Sequence, residues 1–411
     1  MKEREARIIR SKINPPAGGQ KSKSLRFLLI ILCELRAKFL LTVENAEITK
    51  GKTDTFTDMF ENKNNRTELS SLGEFAMIDH IAETIELQNP ESIKGIGDDA
   101  AIIENGDKMT VVSTDMLVEG VHFDLMFHPL KHLGYKSVVV NLSDIYAMNA
   151  TPKQILVSIA ISNRFSLEAV EELYAGIRMA CEKYKVDLVG GDTTSSTTGL
   201  ILSVTAIGLA SKDNIVYRNG AKENDLLCVS GDLGGAYVGL QLLEREKKIF
   251  IENPKIQPDL GGNDYILEKQ LKPEARKDII DKLHELGVIP TSMIDISDGL
   301  SSDVLHICRQ SGVGCSIYED KLPIDPQTYE RAREFNLDPT VCALNGGEDY
   351  ELLFTINQKN YEKLREHLDI SIIGHITDAA SGVNLIDKSE NVVKLTAQGW
   401  DGLLRKENSN F

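Results

Sequence analysis

The sequence predicts two mixed α/β domains, an α/β (α+β) fold class, behind an irregular N-terminal extension. Three observations carry that prediction. Helical and strand-like stretches alternate from about residue 70 onward. The composition turns polar around 211–225, partway through that alternation. The first 40 residues hold ten Lys/Arg against three Glu, a charge of +7 in a chain of formal net charge −16, so the rest carries −23. The length of 411 residues allows two or three domains with a sizeable core. Hydrophobic residues at 42% and charged residues at 26% exclude bulk disorder and collagen-like composition. The expected division is 1–58 as the extension, 59–210 as the first domain and 211–411 as the second.

Each element follows from its own pattern. Residues 74–87 read as a short helix and 109–113 as a β-branched strand. A helix over 131–148 carries Asn141 and Asp144, and 154–161 is an apolar strand. Ser166 is a natural N-cap, with Glu168, Glu171 and Glu172 following where a helix dipole favours acids. Val170, Leu173, Ile177, Cys181 and Tyr184 then recur at helical spacing. A strand at 187–189 is expected to end at Gly190-Gly191-Asp192, followed by a long strand at 200–210. Beyond the polar stretch come a strand at 226–229, a helix from 234 and a Pro- and Gly-bearing region at 250–275 read as a loop with short helices. A strand at 293–296, a helix at 301–311 and strands at 351–356 and 370–376 complete the reading.

The extension is read as disordered or as an amphipathic helix, or as absent from a native product that starts at Met59. Its apolar run from Leu25 to Leu41 is interrupted by Arg26, Glu34, Arg36 and Lys38, and so falls short of the ~20 apolar residues of a spanning helix. No small-residue cleavage site follows that run, as a signal peptide requires. Gly51-Lys52-Thr53 resembles the end of a phosphate-binding loop, but Ala46 stands where that loop needs glycine. The six cysteines form no C-x-x-C pair, which predicts a reducing compartment, the cytoplasm. The acidic balance argues against nucleic acid as a partner, and nothing points to a membrane.

Carboxylates fall where ligands gather in α/β sheets. Asp98-Asp99 follows Gly95-Ile96-Gly97, Asp115 follows Ser113-Thr114, and Asp144 closes Asn141-Leu142-Ser143. Asp192 follows Gly190-Gly191, Asp295 and Asp298 flank Ile296-Ser297, and Glu348-Asp349 follows Gly346-Gly347. Any single Asp is explained better by a turn or an N-cap than by ligand binding. Several converging on one place would repel one another unless cations paired them, and hard divalent cations such as Mg²⁺ take oxygen ligands. His122 is read as an anion-positioning or a structural residue, and Arg218 as a phosphate fork or a surface group. Tyr174 lies one position off its helix's apolar stripe, at a ligand edge or over the core. Trp400 is read as a stacking platform or a hydrophobic anchor of the tail.

Taken in order, seven segments resemble the thiamine-monophosphate kinases, within the superfamily of aminoimidazole ribonucleotide synthetase. They are GEF (73–75), GIGDDAA (95–101), STDMLVEGVHF (113–123), NLSDIYAM (141–148), GGDTT (190–194), DISDGLSSD (295–303) and GGEDYEL (346–352). The resemblance covers about residues 70 to 405 and leaves the extension without a counterpart. It implies an aminoimidazole ribonucleotide synthetase-like fold and a homodimer. It also implies transfer of the γ-phosphoryl group of ATP to thiamine monophosphate with several Mg²⁺ ions. By resemblance Asp99, Ser113, Thr114, Asp115, Asp144, Asp192, Asp295 and Asp298 are metal positions. Tyr174, Gly191, Arg218 and Ser297 are nucleotide contacts, and His122, Glu348 and Trp400 contact thiamine monophosphate. Two positions depart from the family pattern: Trp400, where Tyr or Phe is common, and Asn149, where Gly is usual. The alternatives are another ATP-dependent enzyme of the superfamily, or a catalytically silent magnesium–nucleotide binding protein.

Overall fold

The computed structural model describes residues 73–396. The extension, Met59 and Trp400 lie outside the described residues. After helix α1 (Glu74–Ala82), residues 92–211 build a six-stranded sheet in the order β1-β2-β3-β6-β4-β5. Its strands are β1 (Ser92–Lys94), β2 (Ala101–Asn105), β3 (Lys108–Val118), β4 (Thr151–Ile161), β5 (Asp187–Ser195) and β6 (Ile201–Ser211). Helices α2 (Leu130–Ala147) and α3 (Leu167–Tyr184) lie between its strands in sequence. Residues 226–394 build a seven-stranded sheet in the order β13-β12-β9-β11-β7-β10-β8. Its strands are β7 (Leu226–Ser230), β8 (Ser292–Asp295), β9 (Gly314–Tyr318), β10 (Leu352–Ile356), β11 (Ile370–Thr377), β12 (Val383–Ile386) and β13 (Val392–Lys394). The helices of this half are α4 (Gly235–Glu252), α5 (Asp264–Leu271), α6 (Lys277–Glu285), α7 (Leu300–Ser311), α8 (Pro326–Glu334), α9 (Pro339–Asn345) and α10 (Tyr361–Leu364).

Helix α2 is the element on which the two sheets meet. It touches β3, β4 and β6 of the first sheet and β8 of the second. Its Leu133, Val138, Leu142 and Ile145 join one continuous core with Val111, Ile155 and Leu202 on one side and Met293 and Phe354 on the other. A helix buried around most of its circumference shows no clean amphipathic stripe, and α2 is of that kind. It packs against α3 through glycines on both. A Cβ on Gly134 would stand 2.0 Å from Leu173 O, and one on Gly176 would stand 1.9 Å from Lys131 O. The N-cap of α3 is as the sequence predicts, with Ser166 Oγ accepting from the Ala169 N–H at 3.3 Å.

Several boundaries differ from the sequence reading. The first long strand runs on through Asp115 to Val118, pairing with β6 along its whole length, so Asp115 lies within a strand and not after one. Gly190 and Gly191 do not end β5. They pair with Leu156 and Val157 of β4 at a register shift, and a Cβ on Gly191 would stand 1.7 Å from Val157 O. Both lie within the strand and not in a turn, and Gly191 serves close strand approach. Helix α1 stops at Ala82, short of the expected 87. The polar stretch at 211–225 falls between the two sheets, after β6 and before β7.

Replacing Gly176 by Ala forces α2 and α3 apart. It is expected to cost about 2–3 kcal/mol, as overpacking of a filled interior does. Urea unfolding measures it, and a loss below about 0.5 kcal/mol would show that the helix pair can relax freely.

Candidate active site

Four segments distant in sequence deliver carboxylates to one crevice. Asp99 ends the loop before β2, Asp115 comes from β3, Asp144 from the last turn of α2, and Asp295 from the end of β8. One oxygen each of Asp99, Asp144 and Asp295 lies within 4.8 Å of the others. The residue alternation of β3 turns Ser113 and Asp115 to one side. Ser113 Oγ donates to Asp144 Oδ2 at 2.5 Å. The Asp115 N–H donates to Asn141 Oδ1 at 2.9 Å, and Asn141 Nδ2 donates to Ser137 O at 3.0 Å, so α2 holds β3 in place through a buried amide. Arg218, in the stretch between the sheets, closes the crevice. Its guanidinium lies 2.7 Å from Asp99 Oδ1, and its backbone N–H donates to Asp98 Oδ1 at 3.1 Å.

The electrostatics follow from crowding. Desolvation, then the Asp99 carboxylate, pushes Asp115 up to about 6. Desolvation and the same neighbour push Asp295 up to about 7. Asp144 is driven well above the usual carboxylate range by desolvation and by Asp115, Asp295 and Asp99. Asp303 on α7 is raised likewise, by burial and then by Asp298 and Asp295. Among the described residues, Asp99 Oδ2, Asp295 Oδ2 and Asp303 Oδ2 are buried with no hydrogen-bond donor. Buried, unpaired, hard oxygens that repel one another suit a small divalent cation of the Mg²⁺ type.

A second constellation adjoins the first. The Glu348 N–H donates to Ser297 O at 2.8 Å, which joins the 346–351 loop to the turn between Asp295 and Asp298. Glu348 Oε1 lies 3.0 Å from Lys136 Nζ, and Oε2 accepts from Gln270 Nε2 at 2.9 Å. Further along the loop, Asp349 accepts from the Gly234 N–H at 2.8 Å. Glu351 accepts from Ser230 Oγ at 2.6 Å and pairs with Lys269 and Arg276. His122 follows β3, and its Nδ1 accepts from the Val118 N–H at 3.0 Å, which leaves Nε2 as the donor of the neutral ring. Desolvation, only partly offset by Glu348 and Glu74, holds His122 below the usual histidine range.

The structure thus brings Asp99, Ser113, Asp115, Asp144, Arg218 and Asp295 into one crevice, with Ser297 and Asp298 on the adjoining turn, and His122 and Glu348 share one electrostatic environment. It separates others from them. Thr114 points to the opposite face of β3, where its hydroxyl donates to Val204 O at 3.1 Å. Gly191 and Asp192 lie on β5, whose residues are all exposed. Tyr174 packs partly buried against the core from α3. One participant, Asp303, is not singled out from sequence. Asp303 had a signal, since it falls eight residues after Asp295 with helix α7 beginning between them, which turns it back toward the strand end.

These groups bear on pH as follows. The raised values of Asp115 and Asp295 mean that metal-free folded protein keeps protons which the unfolded chain releases near pH ~4. Their contribution to stability is complete below that pH and is lost as pH rises through 6 to 7. The urea midpoint of metal-free protein is expected to fall between about pH 5 and about pH 7.5, and millimolar Mg²⁺ to restore it at the higher pH. A midpoint insensitive to both would show that the carboxylates do not crowd.

Comparison with known proteins agrees with this geometry. The family described as AIR synthase related protein, N-terminal domain, matches residues 97–210. Thiamine-monophosphate kinase of Buchnera aphidicola subsp. Schizaphis graminum is 39% identical over 329 residues, covering 78% of this chain and 96% of that protein. Thiamine-monophosphate kinase of Aquifex aeolicus is 34% identical over 333 residues, covering 81% and 98%. The solved structure described as "AaThiL complexed with AMPPCP and TMP" superposes with a TM-score of 0.70 at 32% identity, covering 82% of this chain and 99% of that one. At these identities over nearly the whole length of those proteins, the chain belongs to the thiamine-monophosphate kinases.

Proposed function

We infer that the protein transfers the γ-phosphoryl group of ATP to thiamine monophosphate, giving thiamine diphosphate and ADP. The observation that carries this is the meeting of Asp99, Asp144 and Asp295 within 4.8 Å, with Asp115 beside them and His122 and Glu348 on the adjoining surface. The acceptor is already a phosphate monoester with a second pKa near ~6, so its oxygen is largely ionised at neutral pH and needs no strong base. That oxygen attacks the γ-phosphorus directly, and the bond from the γ-phosphorus to the bridging oxygen breaks in line. Two polyanions must approach, and bound Mg²⁺ would supply the charge screening and in-line orientation that this needs. Asp99, Asp115, Asp144, Asp295 and Asp298 would hold it, with Ser113 orienting Asp144. Arg218 and Ser297 would contact the nucleotide, while the neutral His122, with Nε2 as its donor, and Glu348 would orient the acceptor.

We further propose a homodimer. Beyond the fully exposed β5, the face of the first sheet away from α2 carries Val112, Met116, Leu156, Ile207 and Leu209, all half-buried or exposed. A contiguous apolar face of this kind fits a partner surface. It also places Thr114, Gly191 and Asp192, the candidate ligands separated from the crevice, at or beside the proposed contact.

Asp115→Asn is expected to lower turnover at saturating Mg²⁺ at least ~10²-fold, read as thiamine diphosphate formed from ATP and thiamine monophosphate. Near-normal turnover would remove Asp115 from the metal set, and a labelled phosphoprotein trapped from ATP would overturn direct transfer. Met116→Lys, at a side chain 56% exposed, is expected to shift the sedimentation mass toward the monomer. An unchanged mass would place any dimer contact elsewhere.

A further inference from the structure

We propose that Lys136 is a positioning residue for the acceptor, holding the Glu348 carboxylate in the one orientation in which it meets thiamine monophosphate. This rests on the reading above that Glu348 faces that substrate. Lys136 lies on α2, two helical turns before Asp144, and is 0% exposed. Lysine is almost never fully buried unless it is paired. Its Nζ lies 3.0 Å from Glu348 Oε1 and donates to Gln270 O at 3.0 Å. Gln270 in turn donates through Nε2 to Glu348 Oε2 at 2.9 Å. Each carboxylate oxygen therefore has its own donor, and the plane of the carboxylate is fixed.

The backbone is committed to the same end. Glu348 has φ of 58°, a left-handed conformation that a side-chain-bearing residue adopts only where its surroundings impose it. Its N–H is tied to Ser297 O, and the residues after it are anchored through Asp349 and Glu351. Of the pair, the Lys136 side chain is wholly enclosed while that of Glu348 stays 29% exposed. The pair thus runs from the buried helix that carries Asp144 out to the surface where His122 stands. A lysine that merely held α2 to α5 would need only the Gln270 carbonyl. The second bond, to a partly exposed carboxylate, is what assigns it to the acceptor.

The test is steady-state kinetics of the whole chain with ATP, Mg²⁺ and thiamine monophosphate. Lys136→Met keeps an unbranched side chain one atom shorter and removes the charge. It is expected to raise the KM for thiamine monophosphate at least ~10-fold and to change the KM for ATP less than ~2-fold, with Lys136→Arg recovering part of the loss. Glu348→Gln should raise the same KM, and Lys136→Met should add little in the Glu348→Gln background, as for residues acting through one group. Equal changes in both KM values, or full additivity in the double variant, overturn the proposal. If Glu348→Gln leaves the KM for thiamine monophosphate unchanged, the reading of Glu348 fails. If Glu348→Gln raises it and Lys136→Met does not, the role of Lys136 fails alone. Should Lys136→Met not fold, Gln270→Leu removes the other donor to Glu348 and is expected to show the same split. Its absence then counts against the proposal.

Discussion

Like charge gathered out of water is the constraint on which the rest of this structure turns. Asp99, Asp144 and Asp295 meet within 4.8 Å, and Asp98, Asp115 and Asp303 crowd the same space. Arg218 and Lys94 offset part of that charge, at 2.7 Å from Asp99 and 3.4 Å from Asp98. The remainder is repulsion that the fold must withstand. In ε of roughly 20, two unit charges about 4 Å apart repel by about 4 kcal/mol, comparable with much of the net stability of a domain. No local segment could hold such an arrangement alone.

What holds it is helix α2 and its two neighbouring sheets. The helix contributes Asp144 itself, the amide of Asn141 that ties down Asp115, and the Lys136 that pairs with Glu348. It reaches these places because Gly134 and Gly176 let α3 press on it at distances no Cβ would allow. Apolar side chains from both sheets then enclose it in one core. Hydrophobic burial over this continuous interior supplies the favourable term against which the acids are assembled. The same helix serves both constellations, so their separation is fixed by a rigid element and not by loops.

This explains what the sequence made legible and what it hid. The acids announced themselves because Asp beside Gly, Ser or Thr recurs at element ends, and their convergence was inferred from that pattern. The order of elements was legible from periodicity, including the N-cap at Ser166. The boundaries around the site were not. Asp115 and Gly190-Gly191 read as strand ends, because polar residues and glycines usually mark turns, yet cross-strand pairing with β6 and β4 carries both strands onward. Sidedness was equally hidden. Ser113 and Thr114 are adjacent in one motif, but strand alternation sends the first to Asp144 and the second to Val204. Lys136 lacked any signal, since a lysine within a helix is ordinarily a solvated one.

The two constellations solve opposite electrostatic problems side by side. In the crevice, Asp99 Oδ2, Asp295 Oδ2 and Asp303 Oδ2 are, among the described residues, buried without a donor, an arrangement that the proposed Mg²⁺ would complete. Under the proposed function a nucleotide polyphosphate would bring cations with it, and its binding would be coupled to metal. On the proposed acceptor side, Glu348 is already matched by Lys136 and Gln270. Were Glu348 left unmatched, it would add one more negative group beside the crevice and compete for the same cations. Under the proposed function, neutralising it with a lysine of the chain's own would keep the cation demand at the crevice of aspartates. It also leaves the carboxylate ordered before substrate arrives, so less orientational entropy remains to be lost on binding.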